Sequence, residues 1–238
     1  MKRALLFAAL TLASHSAALA HYLWIAVESE SGEQGTAHLY FEEGPAPGDG
    51  FYLDPFEKHG KMWVRLIGED KRRDLKMTVS TKPNQKWLSA PLTAPAPRSV
   101  ESYGKYGVYA YGKTNVLLHY YARFLDVKSH GELHELARTD ELELQIVPHD
   151  AENEMQLTVY WKGKRAANAP VVIRGPKSFR KNLKTDEAGN VRFPVEKQGR
   201  YTCRTYVELK ESGKDGGKDY ELIRHHSSLT IDLPLAGP

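Results

Sequence analysis

From His21 onward the chain alternates apolar and polar residues at every second position, the period of strands buried on one face. Leu23, Ile25 and Val27 alternate with Tyr22, Trp24 and Ala26. His21 shares the parity of the aliphatic set, which places it on the core-facing side at the rim of a sheet. Thr36–Glu43 reads as a second strand that ends in two acids, and Gly44-Pro45-Ala46-Pro47-Gly48-Asp49-Gly50 as a loop. Met62–Ile67 and Leu75–Val79 read as further strands on either side of a charged turn from Gly68 to Asp74.

After a proline-rich bend from Pro91 to Pro97, Tyr103–Gly112 interleaves tyrosine with glycine. That run invites a sugar-stacking interpretation, but a hairpin in which tyrosines cover the sheet and glycines make the bends is the expected account. Val116–Leu125 is compatible with a buried strand or an amphipathic helix, and the β-rich context favours the strand. His130 and His134 have the spacing of a metal pair on one helical face, yet Gly131 between them weakens a helix and points to solvated loop histidines. Glu141–Pro148 alternates once more, and Pro148–Asn153 marks a boundary. Beyond it, short strands at Leu157–Trp161, Val171–Arg174, Val191–Phe193 and Tyr201–Leu209 are spaced by glycine-rich turns, as in an immunoglobulin-like module. Lys210–Asp219 is expected to be a mobile charged loop. The last strand, Tyr220–Leu233, carries His225 and His226, whose side chains must point to opposite faces. The expected fold class is therefore all-β: two β-sandwich modules, 21–150 and 151–238, after a signal peptide at 1–20.

The leader is read from Lys2 and Arg3, an apolar run from Ala4 to Ala13, and Ala18 and Ala20 before a cut that makes His21 the first residue. The apolar run is too short to span a bilayer. These features imply export to the periplasm or beyond, with no stable membrane insertion after cleavage. The formal charge of +3 falls to +1 once Lys2 and Arg3 leave, so the balance gives no reason to expect nucleic acid as a partner. Cys203 is the one cysteine; an exported chain so composed has no internal disulfide and must be held by packed cores. No Gly-x-Ser-x-Gly elbow or His-Glu-x-x-His helix is present, which argues against a hydrolase.

Trimming changes the chemistry of His21. An α-amine has an unperturbed pKa near 8 and an imidazole about 6.5, so one amino-terminal histidine offers two nitrogens that deprotonate at little cost near neutrality. Such donors suit nickel, cobalt, copper and zinc. Further donors are sought in His38 or Glu43 of the second strand and in His225 or His226 of the last; His119, set among aromatics, is expected to be a packing residue.

Ala20-His21-Tyr22-Leu23-Trp24, Leu39–Glu43, Leu117–Arg123, Leu144–Pro148, Gly199-Arg200-Tyr201 and Arg224–Thr230 occur in an order that resembles exported proteins of the DUF4198 family. The resemblance implies a periplasmic protein, in some members associated with nickel or cobalt uptake. It matches His21 to a histidine just after the leader, and Arg224-His225 to an Arg-His-aromatic run, with His226 in the aromatic slot. The Asp186–Asn190 turn with Gly199-Arg200-Tyr201 also resembles a carboxypeptidase-regulatory-like β module. The resulting expectation is a non-enzymatic carrier of a divalent transition metal, nickel or cobalt with copper as another possibility, that hands its ion to a membrane uptake transporter. Two alternatives belong to other classes: a copper-dependent polysaccharide oxygenase built on the same terminal histidine, and a scaffold or adhesion unit that uses no metal.

Overall fold

The computed structural model describes residues 21–151 and 154–235; the leader expected at 1–20 lies outside them. An eight-stranded sheet runs through the molecule in the order β13 (Arg180–Lys184), β12 (Pro170–Arg174), β15 (Gly199–Leu209), β18 (Leu222–Leu233), β8 (Thr114–Asp126), β7 (Arg98–Tyr111), β3 (Lys61–Leu66) and β4 (Arg73–Leu75). One four-stranded sheet, β1 (Tyr22–Glu28), β2 (Thr36–Glu42), β6 (Gln85–Pro91) and β5 (Thr78–Lys82), belongs to the earlier half. Another consists of β9 (Leu144–Ala151), β10 (Glu154–Trp161), β14 (Asn190–Pro194) and β11 (Lys164–Arg165). Two short helices, α1 (Asp54–His59) and α2 (His130–Leu136), and the hairpin of β16 (Gly213–Asp215) and β17 (Lys218–Tyr220) complete the described elements.

The period of two along β8 explains how one sheet serves two cores. Leu118, Tyr120, Ala122 and Phe124 pack with Leu23, Ile25, Leu39 and Phe41. Tyr121 and Leu125 point the other way, into a core with Ile146, Leu157, Val159 and Cys203. The small sheets therefore cover opposite faces of the central one. The two halves of the chain meet where β18 pairs with β8 in parallel, from Leu222 beside Val116 to Ile231 beside Leu125. The join foreseen near residue 150 falls within the β9–β10 pairing, so Leu144–Asp150 sit in a sheet with strands of the later half.

Several local expectations change. β1 is buried on both faces up to Val27, because Tyr22 and Trp24 form a second aromatic cluster with Tyr40 and Trp87. The strand read at Leu75–Val79 is two strands, β4 and β5, in different sheets. His130–Leu136 is a helix despite Gly131: the Ser129 hydroxyl accepts from the Glu132 amide, and the Glu132 carboxylate accepts from the Lys128 amide. That helix is fixed by Arg65, which donates to the Leu136 carbonyl, and by Arg123, which donates to Ala137. The charged stretch at 210–219 contains a hairpin whose turn residues, Gly216 and Gly217, both have positive φ, as a tight type I′ turn requires. Cys203 is fully buried, as a small core filler should be, and burial raises its thiol to about 12.

Candidate functional site

β1 starts at Tyr22, paired with Glu42 at the end of β2, so His21 stands just beyond the paired ladder. Its ring lies 5.7 Å from Phe41 and 5.3 Å from Tyr52, and its Nε2 is 3.7 Å from the Glu42 carboxylate. Glu42 is held in place: its carbonyl accepts from the Trp24 indole at 3.0 Å and its carboxylate accepts from the Gly50 amide. Burial raises the Glu42 carboxyl above its ordinary value, and the charge of His21 works against that rise. Gly48 lies against it: a Cβ there would come within 2.0 Å of the Glu42 oxygen and turn the carboxylate aside.

Behind His21 opens a cleft of about 320 Å³, walled by Phe41, Tyr52, Tyr106, Tyr109 and Tyr111 and floored by Leu118 and Tyr120. A β-bulge builds its tyrosine wall. The pairing passes from Lys105 with His119 directly to Gly107 with Leu118, leaving Tyr106 as the extra residue and Gly107 at φ +98°. Before the bulge, odd-numbered Tyr103 pairs with Tyr121 on the far face; after it, Tyr109 pairs with Val116 on the near face. The inserted residue thus moves Tyr109 and Tyr111 to the side of Tyr106, which simple alternation through the run would not do.

The other candidate ligands are placed elsewhere. His38 Nδ1 accepts from the Trp87 indole at 3.1 Å and meets Ser89 Oγ at 2.9 Å. Its Nε2 therefore carries the proton and faces Glu28 at 3.3 Å, so both nitrogens are committed. The carbonyl of Glu43 accepts from Arg174 at 3.3 Å. His225 and His226 are buried on opposite faces of the central sheet, as adjacent strand residues must be. His225 stacks on His119 at 4.6 Å, lies 4.3 Å from Trp161 and meets the Tyr121 hydroxyl at 3.2 Å; that hydroxyl donates to Glu143. His226 stacks on Tyr120 at 4.7 Å and meets Tyr22 edge-on at 4.9 Å, with neither ring nitrogen hydrogen-bonded. Burial lowers both rings to about 3, so both are neutral. His119 is bound to the Tyr103 hydroxyl at 2.9 Å, in keeping with a packing role.

The structure thus brings His21 together with Glu42, and puts none of His38, Glu43, His225 or His226 in contact with His21. Among the described residues, no three His, Cys, Asp or Glu side chains are grouped to hold an ion. Where the sequence reading names Glu43, the structure places Glu42: the paired ladder ends with Tyr22 opposite Glu42, and His21 just beyond it meets the Glu42 carboxylate. The two adjacent acids at the strand end were the available signal.

A comparison with curated proteins finds no match. Among solved structures, the BSP domain of a biofilm associated protein is 9% identical with a TM-score of 0.24, over 91% of this chain and 51% of that one. The FN1–FN3 domains of chicken CNTN1 are 8% identical with a TM-score of 0.23, over 91% of this chain and 68% of that one. This chain therefore spans about half the length of the first of these. The family model for a domain of unknown function, DUF4198, matches residues 18–208, a stretch that contains His21, Glu42 and every wall of the cleft. With most of its length matched in this way, the chain belongs to the DUF4198 family.

Proposed function

We propose that this chain, exported to the periplasm and trimmed after Ala20, is a non-enzymatic binding protein for a divalent transition metal. Nickel or cobalt is the choice that the family resemblance implies, and a membrane uptake transporter is the partner that would receive the ion. The observation that supports this reading is the pairing of His21 Nε2 with the Glu42 carboxylate at the mouth of the cleft. It leaves Nδ1 for the metal, and Nδ1 with the α-amine of the same residue closes a six-membered chelate ring. A carboxylate on the remote nitrogen orients a ligating imidazole and raises its basicity. His21 would thus supply both protein donors and Glu42 would position the ring. With its other coordination positions left to solvent, such a site gives up its ion more readily than a closed cage of four protein ligands.

The test is a native mass measurement of the exported chain with nickel, cobalt or copper added, beside a version extended by one residue before His21. One ion on the trimmed chain and none on the extended chain is the expected result. Equal uptake by the two, or none by the trimmed chain, refutes it. Copper has the highest intrinsic affinity for nitrogen donors, so selectivity must be measured by competition.

A further inference from the structure

The cleft is far larger than a metal ion needs. At about 320 Å³ it falls at the lower end of sites that enclose small organic molecules. Its rings cross steeply: Tyr52 and Tyr109 at 81°, Tyr106 and Tyr109 at 71°, Tyr109 and Tyr111 at 64°, His21 and Tyr52 at 66°. Stacking on a sugar wants a flat platform of nearly coplanar rings; Phe41 and Tyr106 come within 29° of parallel, but Tyr109 crosses Tyr106 and Tyr52 steeply and breaks the platform. Rings set nearly at right angles instead surround a compact group with π density on more than one side.

The charge at the mouth has the matching sign. The Glu42 carboxylate stands at the mouth, 3.7 Å from His21 Nε2, and Asp49 and Glu43 are near enough for their charges to act on it. The nearby Arg224, 5.3 Å from the Tyr111 ring, is paired with Glu208 at 2.5 Å. The phenols of Tyr106 and Tyr111 are raised above their ordinary value by burial and stay neutral.

We infer that the cleft formed by Phe41, Tyr52, Tyr106, Tyr109 and Tyr111, with its acidic mouth, is a cage for a small organic ammonium ion. This goes beyond the metal reading and does not depend on it. Metal ion and ammonium ion would each bring positive charge beside Glu42, so a bound metal ion competes with the ammonium ion.

The test is calorimetric titration of the trimmed chain, kept in EDTA so that metal plays no part, with choline and with 3,3-dimethylbutan-1-ol. The second probe has the same shape with carbon in place of the charged nitrogen. Saturable choline binding, at least tenfold weaker binding of the neutral probe, and at least fivefold loss in Tyr109→Leu and in Tyr52→Leu are expected. Tyr52 lies in a turn outside every strand, so its variant keeps the sheets intact and guards against a misfolded Tyr109 variant. Equal affinity for the two probes, no response to choline, binding of cellobiose in place of choline, or an unaffected Tyr52→Leu would each overturn the inference.

Discussion

His226 gives the stability of this protein an acid-dependent contribution that a single substitution should remove while that of His225 stays. Its ring is buried between Tyr120 and Tyr22, near the charges of Arg224 and Arg204, and neither nitrogen has a hydrogen bond. Burial is the larger cause and the arginine charges the next; together they hold the folded ring near 3 against an ordinary 6.5. For a base lowered in this way, the unfolded chain binds the proton first. Stability is therefore complete above about pH 6.5 and falls as pH drops toward 3. Each unit of separation is worth about 1.4 kcal/mol, so the loss between pH 7 and pH 4 is about 3 kcal/mol, an order-of-magnitude figure. His226→Phe keeps the ring stack and removes the titration. Guanidinium unfolding of both proteins at pH 7, 6, 5 and 4 gives the difference in stability at each pH. That difference should move in favour of the variant by about 3 kcal/mol from pH 7 to pH 4. A difference that stays flat would show that His226 is not buried and neutral, and would refute the reasoning.

Other substitutions probe the mouth of the cleft and its frame. Glu42→Gln should weaken nickel uptake by the trimmed chain about 10- to 100-fold in a competition titration, the usual cost of losing a carboxylate behind a ligating imidazole. Gly48→Ala should weaken nickel uptake by displacing the Glu42 carboxylate, which its Cβ would meet at 2.0 Å. Because that carboxylate is the mobile end of a side chain, the melting temperature of this variant should change little. Gly104→Ala puts a Cβ 2.4 Å from the Phe56 ring, which is fully buried against β7, and should cost about 1–3 kcal/mol in denaturant unfolding. Ser129→Ala should lose about 1 kcal/mol by removing the cap of α2, with little effect on ligand binding.

The parts of this protein that were legible in its sequence are those fixed by near neighbours. Alternation gave the strands, the inward parity of Leu23, Ile25 and Val27, the opposed directions of His225 and His226, and the buried place of Cys203. Each follows from the two-residue period of extended backbone, which holds whatever the strand packs against. Ser129 and Glu132 also carry a local helix-start signal, which the reading from Gly131 did not use.

Tertiary structure alone decided what comes from distant pairings. That β18 lies parallel to β8, making one sheet of two halves, depends on which strand edges meet across about a hundred residues. The cleft depends on one extra residue in β7, whose partner strand fixes where the phase changes and so brings Tyr109 and Tyr111 beside Tyr106. Glu42 rather than Glu43 meets His21 because β2 ends there and the Gly48–Gly50 backbone receives its carboxylate. A period shows which way a side chain points, but not what the rest of the chain sets in front of it.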